Sequence, residues 1–158
     1  MGLTVFATSA KMMPIKAGRE QEGKMKNKLN LRNILKNGKV YVWEGTYAMV
    51  KAERPCRRAV AVIRDKKEIT CLVDDSRLRP ADLLAVDSGW KIITFDMILP
   101  FGLVGFLARV SGALAKAGIS ICAFSAYSTD HILVKAKDLE KALVCMEKLG
   151  FMVEGKKR

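Results

Sequence analysis

From residue 90 onward the apolar and polar positions change period in successive blocks. WKIITFDMIL (90–99) sets Ile93, Phe95, Met97 and Leu99 on one side of an extended chain and Ile92, Thr94, Asp96 and Ile98 on the other, the two-residue alternation of a strand. Pro100 and Gly102 end it. From Leu103 the apolar positions Leu103, Phe106, Leu107, Val110, Leu114 and Ala117 follow helical spacing, and Gly118 stands where a C-terminal cap belongs. ISICAFSAYS (119–128) is rich in β-branched and aromatic residues and predicts a strand. After the break at Thr129 and Asp130, HILVKA (131–136) predicts another, and so short a break implies a hairpin. Asp138 is placed to cap a helix with Leu139, Ala142, Leu143 and Met146 on one face. Gly150 ends that helix before a short strand in FMVE (151–154).

Strand, helix, strand, strand, helix, strand is the split βαβ or ferredoxin-like order: a four-stranded antiparallel sheet with both helices on one face. The first half gives a weaker copy. TYAMVKA (46–52), AVAVIR (59–64) and EITCLV (68–73) predict strands, DKKE (65–68) a turn, and RPADLLAV (79–86) the start of a helix with Pro80 early in it. Between Ala52 and Ala59 only ERPCRR is available, too short for a first helix, so this half is a reduced unit or one that borrows elements from its neighbour. The fold class is α+β, ferredoxin-like βαββαβ, in two units paired so that fewer sheet edges stay exposed. Residues 39–89 form the reduced unit and residues 90–155 the complete one.

Composition adds limits. Half of the 158 residues are hydrophobic, enough for a core, yet no apolar run nears the roughly 20 residues of a membrane span. The start MGLTVFATSAK lacks the basic region of a secretory signal, and Phe6 stands where a myristoylation signal needs Ser or Thr, so a cytoplasmic location is expected. Cys56, Cys71, Cys122 and Cys145 lack the paired spacing of zinc sites and read as reduced, mostly buried thiols. No metal or cofactor is expected.

The net charge of +12 suggests nucleic acid until it is divided along the chain. Residues 1–40 hold nine Lys or Arg against two Glu, and residues 41–158 hold nineteen against fourteen acidic residues. The excess lies mostly in the arm, and residues 1–38 read as a basic, poorly ordered extension, a solvated tail whose chemical options are weak contact with nucleic acid or with anionic lipid.

FSAYSTDHILV (124–134) holds Ser128, Asp130 and His131, the chemistry of a hydrolytic triad. Successive residues of an extended chain point to opposite faces, so these three cannot easily hydrogen-bond in series, and no enzyme is expected. PFGLVG (100–105) matches neither glycine-rich phosphate motif, but its glycines let backbone N–H groups face outward at a helix N-terminus, a receptor for a carboxylate. In a ferredoxin-like unit this loop and the far end of the second strand lie near one sheet edge. One side offers N–H donors and the other a carboxylate, the polarity an amino acid would satisfy.

Over residues 39–152 the chain resembles the ACT domain, in particular small tandem ACT proteins related to the regulatory domains of aspartokinase. FGLVGFLARVSGALAKAGISICAFSAYSTDHILVK (101–135) carries the resemblance, supported by EITCLVDD (68–75) and EGTYAMVK (44–51). The resemblance implies paired ACT units, often in a homodimer, with no chemistry of their own and an amino acid bound between units. Transferred to this chain, the ligand residues are Phe101, Gly102, Leu103, Val104, Gly105, Ser125, Ser128, Thr129, Asp130 and His131. Asp130 fits the acid that meets the ligand's cationic group and His131 a frequent histidine or tyrosine beside it, while Ala126 follows Ser125 where relatives often have a second hydroxyl. The expectation is a regulatory amino-acid-binding protein. The alternatives are a nucleic-acid binder acting through the basic arm and a structural dimerisation module; against the first, aromatic content is only 7%, and the strands lack an RNA-stacking signature.

Overall fold

The computed structural model describes residues 31–79 and 83–154. Its elements are α1 (Leu31–Asn37), β1 (Lys39–Val42), β2 (Tyr47–Ala52), β3 (Ala61–Arg64), β4 (Ile69–Asp74), β5 (Leu83–Phe95), α2 (Phe106–Lys116), β6 (Ile121–Ser125), β7 (Asp130–Lys135), α3 (Leu139–Leu149) and β8 (Met152–Val153). Short 3₁₀ turns at Asp75–Arg77 and Ala136–Asp138 complete the described chain.

The eight strands of the described residues join one sheet, organised by β5. Along one edge of β5, β2 and β1 lie end to end, both antiparallel to it, pairing Tyr47 with Trp90 and Val42 with Ile93. Residues 43–46 break the run, and Trp43 N–H still reaches the Ile92 carbonyl at 2.9 Å. Along the other edge β7 pairs with residues 90–94, and β6 continues as a hairpin, with Ser125 opposite Asp130. The expected hairpin is present, and so is the helix between Leu103 and Gly118, although it starts only at Phe106.

Two ferredoxin-like orders share that strand. In the second half β5, β6, β7 and β8 alternate with α2 and α3 as expected, but β1 inserts between β5 and β8. In the first half the order β3–β4–β2–β5 is again the ferredoxin-like one. Among the described residues both crossover helices are there replaced by short connections, residues 53–60 and 75–79. The junction expected at residues 89 and 90 therefore falls inside β5.

The helix expected to start in RPADLLAV is not formed, because residues 83–86 belong to β5; residues 80–82 lie outside the described residues. Leu and Ala favour a helix locally, but β2 offers this segment a full antiparallel partner. The strand expected over 90–99 stops at Phe95, where Met97 N–H turns back to the Phe95 carbonyl at 2.9 Å. The poorly ordered extension is also corrected for residues 31–38: Leu31–Asn37 form a helix that buries Ile34 and Leu35. The other residues of that extension, 1–30, lie outside the described residues.

Strand alternation sorts the core into two faces. On one, Val40, Ile93, Phe95, Ile132 and Val134 are fully buried beneath Val110 and Leu114 of α2 and Ala142 and Met146 of α3. Phe95, Phe106 and Phe151 meet there with centroids 5.0 to 6.2 Å apart. The other face gathers Tyr47, Leu72, Trp90, Ile92 and Leu133, with Trp43 and Phe124 against them. A register shift in β5 between the partners of Tyr47 and Met49, with Gly89 at φ +80°, changes which residue parity faces the helices. Asp75 accepts the Gly89 N–H at 3.3 Å.

Candidate functional site

Beyond Phe95 the chain turns through residues 96–105 before α2 begins, and across from it lies the β6–β7 hairpin. Two backbone bonds shape the pair of loops: Leu99 N–H donates to the Ser128 carbonyl at 2.9 Å, tying one loop to the other, and Ala126 N–H donates to the Thr129 carbonyl at 2.9 Å, closing the hairpin. Between them lies a cavity of about 190 Å³.

Of the ten residues singled out in the sequence, Phe101, Leu103, Ser125, Ser128, Thr129 and Asp130 line this cavity. Gly102, Val104, Gly105 and His131 do not. Gly105 has a separate task as N-cap of α2 at φ +88°, with no side chain to cap the helix. The first N–H groups of α2 thus have neither an intrahelical acceptor nor a side-chain cap, the electropositive end that a carboxylate suits. Val104 is 86% exposed and Phe101 83%. Leu99, Phe106 and Tyr127, not singled out in the sequence, complete the lining together with Pro100 of the PFGLVG stretch and Ala126. The signal for Tyr127 was its place inside the hairpin loop; its ring meets Phe101 edge to face, centroids 5.3 Å apart.

His131 faces the opposite side of the sheet from Asp130, as alternation requires. Its ring is 7% exposed and stacks on Phe124 at 4.6 Å. Its Nδ1 lies 2.8 Å from Thr94 Oγ1, and the Trp43 indole N–H donates to that same oxygen at 2.7 Å. Thr94 is buried and has one proton to give. With Trp43 donating to it, the hydroxyl satisfies both neighbours by donating to Nδ1, which leaves the histidine proton on Nε2, 3.5 Å from Thr129 Oγ1. Burial pushes the His131 pKa below its ordinary value, against the nearby Asp130 charge, which raises it. The ring is therefore a neutral member of a packed network and not a base beside Ser128.

Among the described residues no three His, Cys, Asp or Glu side chains come together to hold a metal ion, and no helix is long and apolar enough to cross a membrane. The cavity carries hydroxyls and one carboxylate on the hairpin side and apolar walls from Leu99, Leu103 and Phe106, the first residue of α2.

Residues 85–148 match the family model of the ACT domain, a stretch that holds both loops of the cavity. No curated protein matches the sequence. Among solved structures, a protein from Agobacterium tumefaciens superposes with a TM-score of 0.65 and 26% identity, covering 74% of this chain and 92% of its own. A protein of unknown function from Vibrio cholerae, described as a possible transport protein, gives 0.62 and 21% over 76% of this chain and 95% of its own. The ligand-free regulatory subunit of aspartate kinase from Thermus thermophilus gives 0.55 and 12% over 71% and 95%. At such low identity the last two show a shared fold. The fold is thus α+β and ferredoxin-like, and the resemblance carried by residues 101–135 is confirmed.

Proposed function

With an ACT domain at residues 85–148 as the premise, we propose that the chain is a non-catalytic regulatory protein that binds an amino acid in the cavity between residues 99–103 and the β6–β7 hairpin. The observation that carries this reading is the Leu99 to Ser128 backbone bond, which holds the N-terminal approach to α2 against the strand end that presents Asp130. The ligand's carboxylate would meet the α2 N–H groups and its ammonium Asp130, with Ser125, Ser128 and Thr129 supplying further polar contacts. The cavity, at about 190 Å³, is smaller than the roughly 300 Å³ at which sites for drug-sized ligands begin, which favours a compact zwitterion.

The rim supports a second copy as the lid. Phe101 and Tyr127 of the lining, and Ile98 and Val104 on the same loop as Phe101, are between 68% and 86% exposed, an apolar density that suits a protein interface. The proposal therefore includes a homodimer.

Full-length protein melted in the presence of each of the twenty amino acids at millimolar concentration tests the reading. A ligand present at a hundred times its Kd stabilises the native state by about 2.7 kcal/mol, a rise of several degrees in Tm. Asp130→Ala should abolish that rise, and Val104→Asp should shift the mass measured by light scattering toward the monomer. If none of the twenty raises Tm, or the responding one acts equally on Asp130→Ala, the amino-acid reading is wrong.

A further inference from the structure

Helices normally roof one face of a ferredoxin-like sheet. In the first half of this chain loops stand in their place. Residues 53–60 supply Arg54, Arg57 and Arg58, and the connection after β4 supplies Arg77 and Arg79, all five around a cavity of about 620 Å³. Val73 of β4, Leu78 and Leu83 give it apolar surface. No Asp or Glu lines it among the described residues, and among the described residues no carboxylate forms an ion pair with Arg57, Arg58, Arg77 or Arg79.

Arg57, Arg58, Arg77 and Arg79 share one open concavity with Arg54, and its partly apolar wall strengthens the positive potential there. An anion relieves it. Each guanidinium presents a planar fork of N–H donors that matches two oxygens of a phosphate or carboxylate. The volume falls within the roughly 300–1,000 Å³ of small-molecule sites. Among the described residues no aromatic side chain lines the cavity, whereas grooves for single-stranded nucleic acid rely on aromatic stacking.

We infer that this second cavity binds a small molecule carrying at least two phosphate groups, held by the arginine forks, with Val73, Leu78 and Leu83 against its less polar body. The site is separate from the amino-acid cavity and stands whether or not that one is occupied.

Tripolyphosphate titrated calorimetrically into full-length protein at 150 mM salt is the test. The expected result is saturable one-to-one binding. Arg57→Ala with Arg77→Ala weakens it at least tenfold, and Arg57→Lys with Arg77→Lys severalfold, since an ammonium keeps the charge but loses the fork. Lys141→Ala with Lys148→Ala, on the exposed side of α3, stays within twofold, and so does Asp130→Ala. Should the double alanine variant fail to fold, as judged by its thermal midpoint, the double lysine variant decides alone. The inference is overturned by absence of binding at millimolar tripolyphosphate, by an equal loss in the Lys141 and Lys148 variant, or by undiminished binding in the double lysine variant. Citrate binding as tightly as tripolyphosphate would overturn the phosphate assignment. A 20-nucleotide single-stranded RNA that binds more tightly, and loses that affinity with the arginine pair, would replace the small molecule with a strand.

Discussion

A chain of three side chains, Trp43 to Thr94 to His131, decides what the only histidine can do. Protonating Nδ1 would set two donors against the Thr94 oxygen and leave its own proton without the histidine acceptor. Burial acts in the same direction, so the folded pKa lies below the unfolded one. With a depressed histidine pKa the unfolded chain binds more protons, so this group's contribution to stability is complete above about pH 6.5 and is lost as pH falls below it toward the folded value. Urea denaturation of wild type at pH 7.5 and pH 5 should show that loss, and His131→Phe, which keeps a ring against Phe124, should show a smaller one. An equal drop in both proteins would mean that other groups carry the pH dependence. Thr94→Val should cost about 1–3 kcal/mol at neutral pH by leaving the half-buried Trp43 nitrogen and the buried His131 nitrogen without their shared partner. The opposite orientation of Asp130 and His131 was legible from alternation alone. That Thr94 and Trp43 would meet His131 was not, since β1, β5 and β7 must first be placed side by side.

At the scale of elements, legibility followed the length of the periodic run. α2 and α3 each bury one stripe and each is followed by a glycine at positive φ, Gly118 at +70° and Gly150 at +108°. Leu31, Ile34 and Leu35 carry the same spacing in α1, but over seven residues among Lys and Asn the pattern is too brief to stand out. What fixes α1 is tertiary: a Cβ built on Gly150 would stand 2.8 Å from the Leu35 carbonyl oxygen. Gly150→Ala therefore combines an unfavourable backbone conformation with a backbone clash, and should cost at least about 2 kcal/mol in chemical denaturation. Gly112→Ala is the contrasting case. It lies within α2, where an added Cβ meets nothing within 4 Å, and should stabilise by about 0.5–1 kcal/mol. If both variants shift stability alike, the packing of α1 against Gly150 does not have this role. The lining of the two cavities divides the same way. Residues 99–103 and 125–130 hold the first site in two compact motifs, whereas the five arginines fall in two stretches that only the β3–β4–β2–β5 order brings to one face.

For the whole molecule the consequence of sharing β5 is mechanical. Residues 83–87 complete the first ferredoxin-like order by pairing with β2, and residues 90–95 open the second by pairing with β7 and β1. Neither half keeps a closed set of hydrogen bonds without the other: cutting at residue 89 would remove β1 from between β5 and β8 and would strip β2 of its partner on one side. A sheet edge opened in that way invites aggregation, and Ile92, Trp90 and Leu133 would lose the cover of Tyr47 and Leu72. The full-length chain should therefore unfold with superimposable transitions by tryptophan fluorescence and far-ultraviolet circular dichroism, since Trp43 on one side of the residue 89 junction and Trp90 on the other report the same event. Residues 90–158 expressed alone should be unfolded or aggregated, although they contain the whole βαββαβ sequence pattern. A folded, monomeric fragment 90–158 with a cooperative transition of its own would show that the second unit is self-sufficient and that β1 is an accessory strand. The shared-strand account requires instead that the isolated fragment regain native circular dichroism only when residues 1–89 are supplied in trans, because the missing partners of β5 lie in that part of the chain.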